Sequence, residues 1–264
     1  MGDVYTHGHQ DAVLRSHRWR TAENSAAYLL PHLEQGMRLL DVGCGPGTLT
    51  VDLARRVAPG AVVGVDRSAA VVAEAQAHAA SEGVDNVSFL AADFSDVPDD
   101  GFDVVHAHQV LQHLTDPVGA LADMRARARP GGIVAARDSI YSSFTWAPDE
   151  DRLDRWLAVY LAVTARNGAD ADAGKRLLGW AHEAGLGDVR YSTSTWTFAT
   201  PEDRAWWGEL WADRTVGSSL AEQAVEYGAA TPDELAEVAA GWRGWAAEPD
   251  GVFVVLHGEI VARA

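Results

Sequence analysis

Asp41-Val42-Gly43-Cys44-Gly45-Pro46-Gly47 sets glycine at every second position behind an apolar run that ends in a carboxylate. The chemistry such a stretch offers is holding a ligand. Glycine permits positive φ in a tight turn, and its missing Cβ lets a ligand lie against the backbone, facing a helix N-terminus. Two further carboxylates close apolar runs: Asp66, 21 positions after Gly45, and Asp93, after Val87–Ala91. The groups able to take a proton near neutral pH are histidines, of which the chain has ten. His106-Ala107-His108 puts two imidazoles on one side of a strand, with His108 at its end. Asp138 and Tyr141 follow another apolar run, and Trp206, Trp207 and Trp211 crowd one short segment.

These groups need elements to position them. Ala22, Ala26, Leu29, Leu30 and Leu33 recur at helical spacing and predict a helix over 21–33. A strand at 37–42 delivers Asp41, and Leu49, Leu53 and Val57 mark the buried stripe of the next helix. The run 61–65 reads as a strand covered on both faces. A helix over 68–81, strands at 87–91 and 102–107, a helix carrying Leu121 and Met124, and a strand at 133–136 complete five alternations. That order predicts an α/β, doubly wound, mostly parallel sheet with right-handed crossovers. Beyond Asp138 the patterning gives helices at 149–165 and 172–184, a strand at 188–198, helices at 201–213 and 231–247, and a strand at 252–261.

Composition narrows the partners. A formal net charge of −17 argues against nucleic acid and anionic membrane, both of which are held chiefly through Lys and Arg. The single cysteine, Cys44, excludes an internal disulfide. Residues 1–7 lack an apolar core of signal-peptide length, and no run approaches ~18 apolar residues, so a cytoplasmic protein is expected. The histidine pairs carry no carboxylate and amide set beside them, and no metal is expected.

Spacing also narrows the ligand. A dinucleotide fingerprint counted from Gly43 or Gly45 needs glycine at 48 or 50, and both are threonine; a phosphate loop needs Gly-Lys at the helix start, and the one lysine is Lys175. Asp41-x-Gly43-x-Gly45-x-Gly47 instead resembles the first motif of the class I methyltransferases, which bind S-adenosylmethionine. Gln112-His113-Leu114-Thr115-Asp116-Pro117 and Arg129-Pro130-Gly131-Gly132 resemble later signatures of the same family. Within it, the chain is most similar to small-molecule enzymes of the ubiquinone and menaquinone biosynthesis type, closely over about 37–138 and loosely beyond.

The resemblance implies a seven-stranded Rossmann-like sheet whose last strand is antiparallel. The core would comprise 36–141, 185–199 and 250–264, with an N-terminal lid over 1–35 and an inserted helical cap at 142–184 and 200–249. The expected cofactor contacts are Asp41, Gly43, Cys44, Gly45 and Gly47 in the loop, Asp66 accepting from the ribose hydroxyls, and Arg67 over the adenine. By resemblance, Asp93 accepts from the adenine amino group, Phe94 is an apolar wall, and Asp41 organises the loop near the methionine amino group. His108 is expected to touch the cofactor and to serve as first candidate base; His113, Tyr5 and His9 are further catalytic candidates, with His17 in the same N-terminal segment. Tyr141, Trp146, Trp207 and Trp211 are the expected substrate contacts. The expected reaction moves a methyl group to O, N or C of a small organic acceptor and leaves S-adenosylhomocysteine. The alternatives are a protein that binds the cofactor without methyl transfer, or uses it for non-methylating chemistry, and, more distantly, an NAD-dependent oxidoreductase.

Overall fold

Apolar runs that need burial on both faces pair as parallel strands. The computed structural model describes residues 11–97 and 101–264, with side chains from residue 15 onward. Helix α1 (Asp11–Arg18) and the short α2 (Ala22–Ser25) precede β1 (Leu39–Val42), α3 (Thr48–Val57), β2 (Val62–Asp66), α4 (Ala69–Ser81) and β3 (Val87–Ala91). Next come β4 (Phe102–His108), α5 (Pro117–Arg127), β5 (Ala128–Ser139), β6 (Thr145–Ala147), α6 (Asp151–Arg166) and α7 (Ala173–Glu183). The chain closes with β7 (Gly187–Phe198), α8 (Pro201–Gly217), α9 (Ser219–Glu226), α10 (Pro232–Ala247) and β8 (Val252–Arg263).

The sheet runs β3-β2-β1-β4-β5-β8, with β7 on the far side of β8. Strands β1 to β5 are parallel, and β8 is antiparallel to both β5 and β7. The order reverses between β1 and β4, the crevice where open α/β sheets take ligands. Among the described residues there are eight strands rather than the expected seven. Strand β8 is 12 residues long and outruns β5, so the backbone of Val252–Val254 pairs with the three-residue β6 instead.

One expected helix is broken. Over 21–33 only α2 is α-helical, capped by Thr21 and Asn24, and a 3-10 turn follows at Leu30–His32. Pro31 lacks an N–H and disfavours the α conformation for the residue before it. The apolar set is buried all the same: Ala22, Ala26 and Leu29 pack with Leu39, Leu53 and Val57.

Helices α6, α8, α9 and α10 surround an aromatic cluster that includes Trp156, Trp207, Trp211, Trp242 and Trp245. Helix α7 turns Leu177 and Ala181 into the cluster under the sheet instead. Helix α1 bridges the two halves. Arg15 pairs with Asp213, and Arg214 donates to the Ser16 hydroxyl, while Arg18 reaches Glu74 of α4 at 2.6 Å. Among the described residues no helix is long and apolar enough to cross a membrane.

Candidate functional site

At the end of β1 the chain makes its glycine turn. Gly43, Gly45 and Gly47 have φ of +68°, +56° and +81°, and Gly47 is the N-cap of α3. At Gly45 the only atom of the described residues within 4 Å of an added Cβ is His17 Nδ1 at 3.6 Å, so the missing side chain leaves an open floor. Gly47 is needed for packing too, because a Cβ there would lie 2.8 Å from Ala75 Cβ. Asp41 faces His106 across the register of β1 and β4 and accepts from His106 Nδ1 at 2.8 Å and from Thr50 Oγ1 at 2.6 Å. It is buried and braces the loop from beneath. Cys44 turns its side chain into the small cluster of Val72, Ala75 and Phe89, where burial, with Asp41 and Asp66 nearby, pushes the thiol pKa up.

Beside the turn, Asp66 Oδ2 accepts from Gly45 N at 3.2 Å and Oδ1 from Ser68 N at 2.9 Å. Each oxygen keeps a second lone pair, so the carboxylate can still accept two hydroxyl protons. Ser68, not Asp66, caps α4.

A cavity of about 250 Å³ runs from this loop across the C-terminal ends of the strands into the aromatic helices. Gly43, Gly45, Asp66, Arg67 and Phe94 line one end, His108 and His113 the middle, and Tyr141, Trp207 and Trp211 the other end. Asp41, Cys44, His17 and Arg20 border an adjoining hollow under α1. Three expected contacts stand apart from the lining. Gly47 is packed behind the loop, and Trp146 stacks on Phe253 at 5.6 Å between ring centroids. Asp93 accepts from Ser95 N at 3.0 Å and from Arg67 Nε at 2.9 Å. Its partial burial would raise the pKa, but these bonds outweigh it and hold the carboxylate below its usual range. Tyr5 and His9 lie outside the described residues.

His108 ends β4 and is buried, and neither ring nitrogen has a hydrogen-bond partner among the described residues. Burial first, then the charges of Arg20 and Arg137, push its pKa well below the usual histidine value, so the ring is a neutral proton acceptor at pH 7. His113 differs. Gln112 Nε2 donates to His113 Nε2 at 3.1 Å, and burial with Arg20 nearby takes the pKa to about 3.

Alternation along the strands assembles more of the site than the loops do. Residues two apart share a face, and strand register sets His108 beside Arg137, Arg137 beside Glu259, and Ser139 beside His257. Gln109 follows His108 at φ 54°, a conformation costing a non-glycine residue roughly 1–2 kcal/mol. Several bonds hold it there: its N–H donates to Arg137 O at 2.7 Å, and its amide donates to Ser139 Oγ at 2.8 Å and His257 Nε2 at 3.0 Å and accepts from Arg20. The bonds hold this unfavourable conformation at a strand end that borders the cavity. Arg20, Gln109, Ser139, Trp196 and Arg214 line the cavity and were not singled out from sequence. Gln109 and Ser139 had a signal in the polar alternation at strand ends; Arg20 and Arg214 had none.

Comparison with known proteins agrees with this geometry. The profile of the family described as "Methyltransferase domain" matches residues 33–167. The chain is 33% identical over 267 residues to an uncharacterized methyltransferase of Schizosaccharomyces pombe, covering 97% of this chain and 95% of that one. It is 36% identical over 132 residues to a ubiquinone biosynthesis O-methyltransferase of Rhodopseudomonas palustris, covering 47% of this chain and 49% of that one. Its fold is similar to the crystal structure of a putative methyltransferase from Bacillus halodurans, with a TM-score of 0.57 and 19% identity over 90% of this chain and 97% of that one. With a glycine turn after β1, an acidic residue ending β2, a family match over β1 to β6 and a relative 33% identical along nearly its whole length, the chain belongs to the class I S-adenosylmethionine-dependent methyltransferases.

Proposed function

We propose that this enzyme transfers the methyl group of S-adenosylmethionine to an oxygen, nitrogen or carbon of a small organic acceptor, acting in the cytoplasm on neither nucleic acid nor membrane. The observation that carries this reading is the single cavity joining the glycine turn and Asp66 to His108 and then to the aromatic wall. The residues present fit the cofactor. Gly45 leaves an open floor, Asp66 has lone pairs to spare for two ribose hydroxyls, and Phe94 offers an apolar wall. Arg20, in the hollow beside the turn, is placed for the methionine carboxylate.

S-adenosylmethionine supplies a methyl group on a sulfonium whose departure leaves a neutral thioether, so no acid is required. The chain's own part is alignment, exclusion of water and, for a hydroxyl or acidic carbon, removal of a proton. Alignment alone is worth several kcal/mol through effective concentrations on the order of 10⁵ M or more. His108, in the middle of the cavity with both ring nitrogens unpartnered among the described residues, is placed to take the proton. Helix α1 closes the site over His17, whose carbonyl accepts from Thr48 Oγ1 at 2.9 Å.

Two substitutions separate these roles. Asp66→Ala is expected to weaken S-adenosylmethionine binding by roughly 1–3 kcal/mol through lost hydrogen bonds to a charged group; an unchanged dissociation constant in calorimetry would take Asp66 out of the cofactor site. His108→Ala is expected to lower kcat about 10²-fold with cofactor affinity kept, the loss typical of a general base. Wild-type turnover would reduce His108 to packing. The function itself is tested with methyl-labelled S-adenosylmethionine and a panel of small acceptors. Label in a low-molecular-mass product, with equimolar S-adenosylhomocysteine, supports it; tight cofactor binding with no product from any acceptor favours a non-methylating use.

A further inference from the structure

His108 has no hydrogen bond to either ring nitrogen among the described residues, so nothing polar orients its ring. The residue that follows it has the opposite character. The Gln109 amide oxygen accepts from Arg20, while Nε2 lies 2.8 Å from Ser139 Oγ and 3.0 Å from His257 Nε2. A guanidinium only donates, so the oxygen end of the amide faces Arg20 and the NH2 end faces the other two. That NH2 has no acceptor capacity, and His257 Nε2 must therefore be the acceptor. The His257 ring is neutral in this arrangement and carries its proton on Nδ1. Its anchors stand on separate strands, Ser139 opposite His257 on β5 and β8, and the Gln109 N–H adds a bond to Arg137 O. Gln109 is thus pinned to two strands while its φ stays at 54°. The His108 ring rests between these groups, its centroid 6.3 Å from that of His257 and 5.7 Å from that of Trp196.

We propose that Gln109 is the positioning residue for His108: its amide, anchored on Ser139 and on the Nε2 lone pair of His257, fixes the end of β4 so that the His108 ring meets the acceptor with its nitrogens open. The inference rests on the methyltransferase reading with His108 as its base. A base is commonly oriented by a third group bonded to it, which occupies one of its nitrogens. Here the orienting bonds are made one residue along the chain. A displacement of about 1 Å can cost on the order of 10²-fold in rate, so a base held only through its backbone needs that backbone fixed. The same anchoring engages the lone pair of the second histidine on this face. Of the two, only His108 keeps an open acceptor nitrogen.

Two readouts test it. In the full chain with isotopically labelled histidine, two-bond proton–nitrogen correlation spectra at pH 7 report which ring nitrogen of His257 carries the proton, and they need no methyl acceptor. The wild-type ring is expected to be neutral with its proton on Nδ1. In Gln109→Glu, whose carboxylate can only accept, the proton is expected on Nε2. With an acceptor that the wild type methylates, Gln109→Gly is expected to lower kcat roughly 10- to 10²-fold while the acceptor KM stays near its wild-type value. Glycine is at home at positive φ, so a role confined to the backbone predicts wild-type kcat in that variant. A wild-type proton on His257 Nε2, an unchanged His257 in Gln109→Glu, or wild-type kcat in Gln109→Gly would overturn the inference. The wild-type spectrum decides the Gln109–His257 bond even if neither variant folds. Wild-type protein that methylates no acceptor, with the His257 proton on Nδ1 as expected, counts against the methyltransferase reading, whereas turnover that Gln109→Gly leaves intact counts against the positioning role alone.

Discussion

Replacing Asp138 by asparagine is expected to make the protein gain stability relative to wild type by roughly 4 kcal/mol between pH 5 and pH 8, at about 1.36 kcal/mol per unit. Asp138 is fully buried beside the site; Oδ1 accepts from Gln112 N at 3.2 Å, and Oδ2 has no partner among the described residues. Burial raises its pKa from 3.8 to about 8, against the opposing bonds from Gln112 and Leu111 and the charge of Arg137. In that window the folded carboxyl keeps its proton while the unfolded one has lost it. The folded state therefore binds more protons, and stability falls as pH rises. Below about 4 both forms are protonated, and above about 8 neither is, so the slope vanishes at both ends. Asparagine cannot ionise and carries an amide donor where the protonated Oδ2 carries one. The neutral histidines His108, His113 and His257 shape the acid side of the curve but cancel in the comparison. Chemical denaturation of both proteins at pH 5, 6.5 and 8 reads the effect; parallel curves would show that Asp138 is ionised in the native state.

Glu259→Gln is expected to cost about 3–5 kcal/mol, the penalty for stranding a buried cation. Arg137 and Glu259 are cross-strand partners on β5 and β8, both almost wholly buried, with Nε 3.0 Å from Oε1. Ser192 Oγ donates to the carboxylate at 3.0 Å, and Ser194 donates to it as well. Burial lowers the arginine pKa to about 10 despite its counter-ion. The guanidinium lies 4.9 Å from the Trp196 ring centroid, and Trp196 packs edge-on to His257 at 4.5 Å, so the pair supports the wall next to His108. The double variant Arg137→Met/Glu259→Leu, which removes both charges, is expected to recover most of the loss in urea unfolding. A double variant as unstable as the single one would mean that lost packing, not a stranded charge, sets the cost.

The parallel half of the fold was legible because apolar runs alternate with helical patterns and polar residues lie at or beside the strand ends, as Asp41 lies one residue before the end of β1 and Asp66 ends β2. Strand β5 was less so. Arg129, Arg137, Asp138 and Ser139 look like turn residues, yet the strand spans Ala128–Ser139 because its polar side chains find partners across the sheet. The expected helix over 21–33 stops at Ser25, where Ala26 leaves helical φ at −137°, and Pro31 falls in the 3-10 turn that follows; the apolar spacing alone did not show the break. At the site, the glycine turn, Asp66 and His108 announce themselves by position. Arg20 and Arg214 do not, since an arginine on a helical or irregular segment looks solvated until the fold turns it inward. Trp207 and Trp211 carried an aromatic signal, but which of the ten tryptophans line the cavity depends on how α8 lies over the sheet.

A crystal structure with S-adenosylhomocysteine bound tests the central claim most directly. The account predicts the ribose on Asp66, the adenine beside Phe94, and the sulfur turned toward His108 with the aromatic wall of α8 beyond it. A cofactor bound elsewhere, or one whose sulfur faces away from the chamber of Trp207, Trp211 and Arg214, would contradict it.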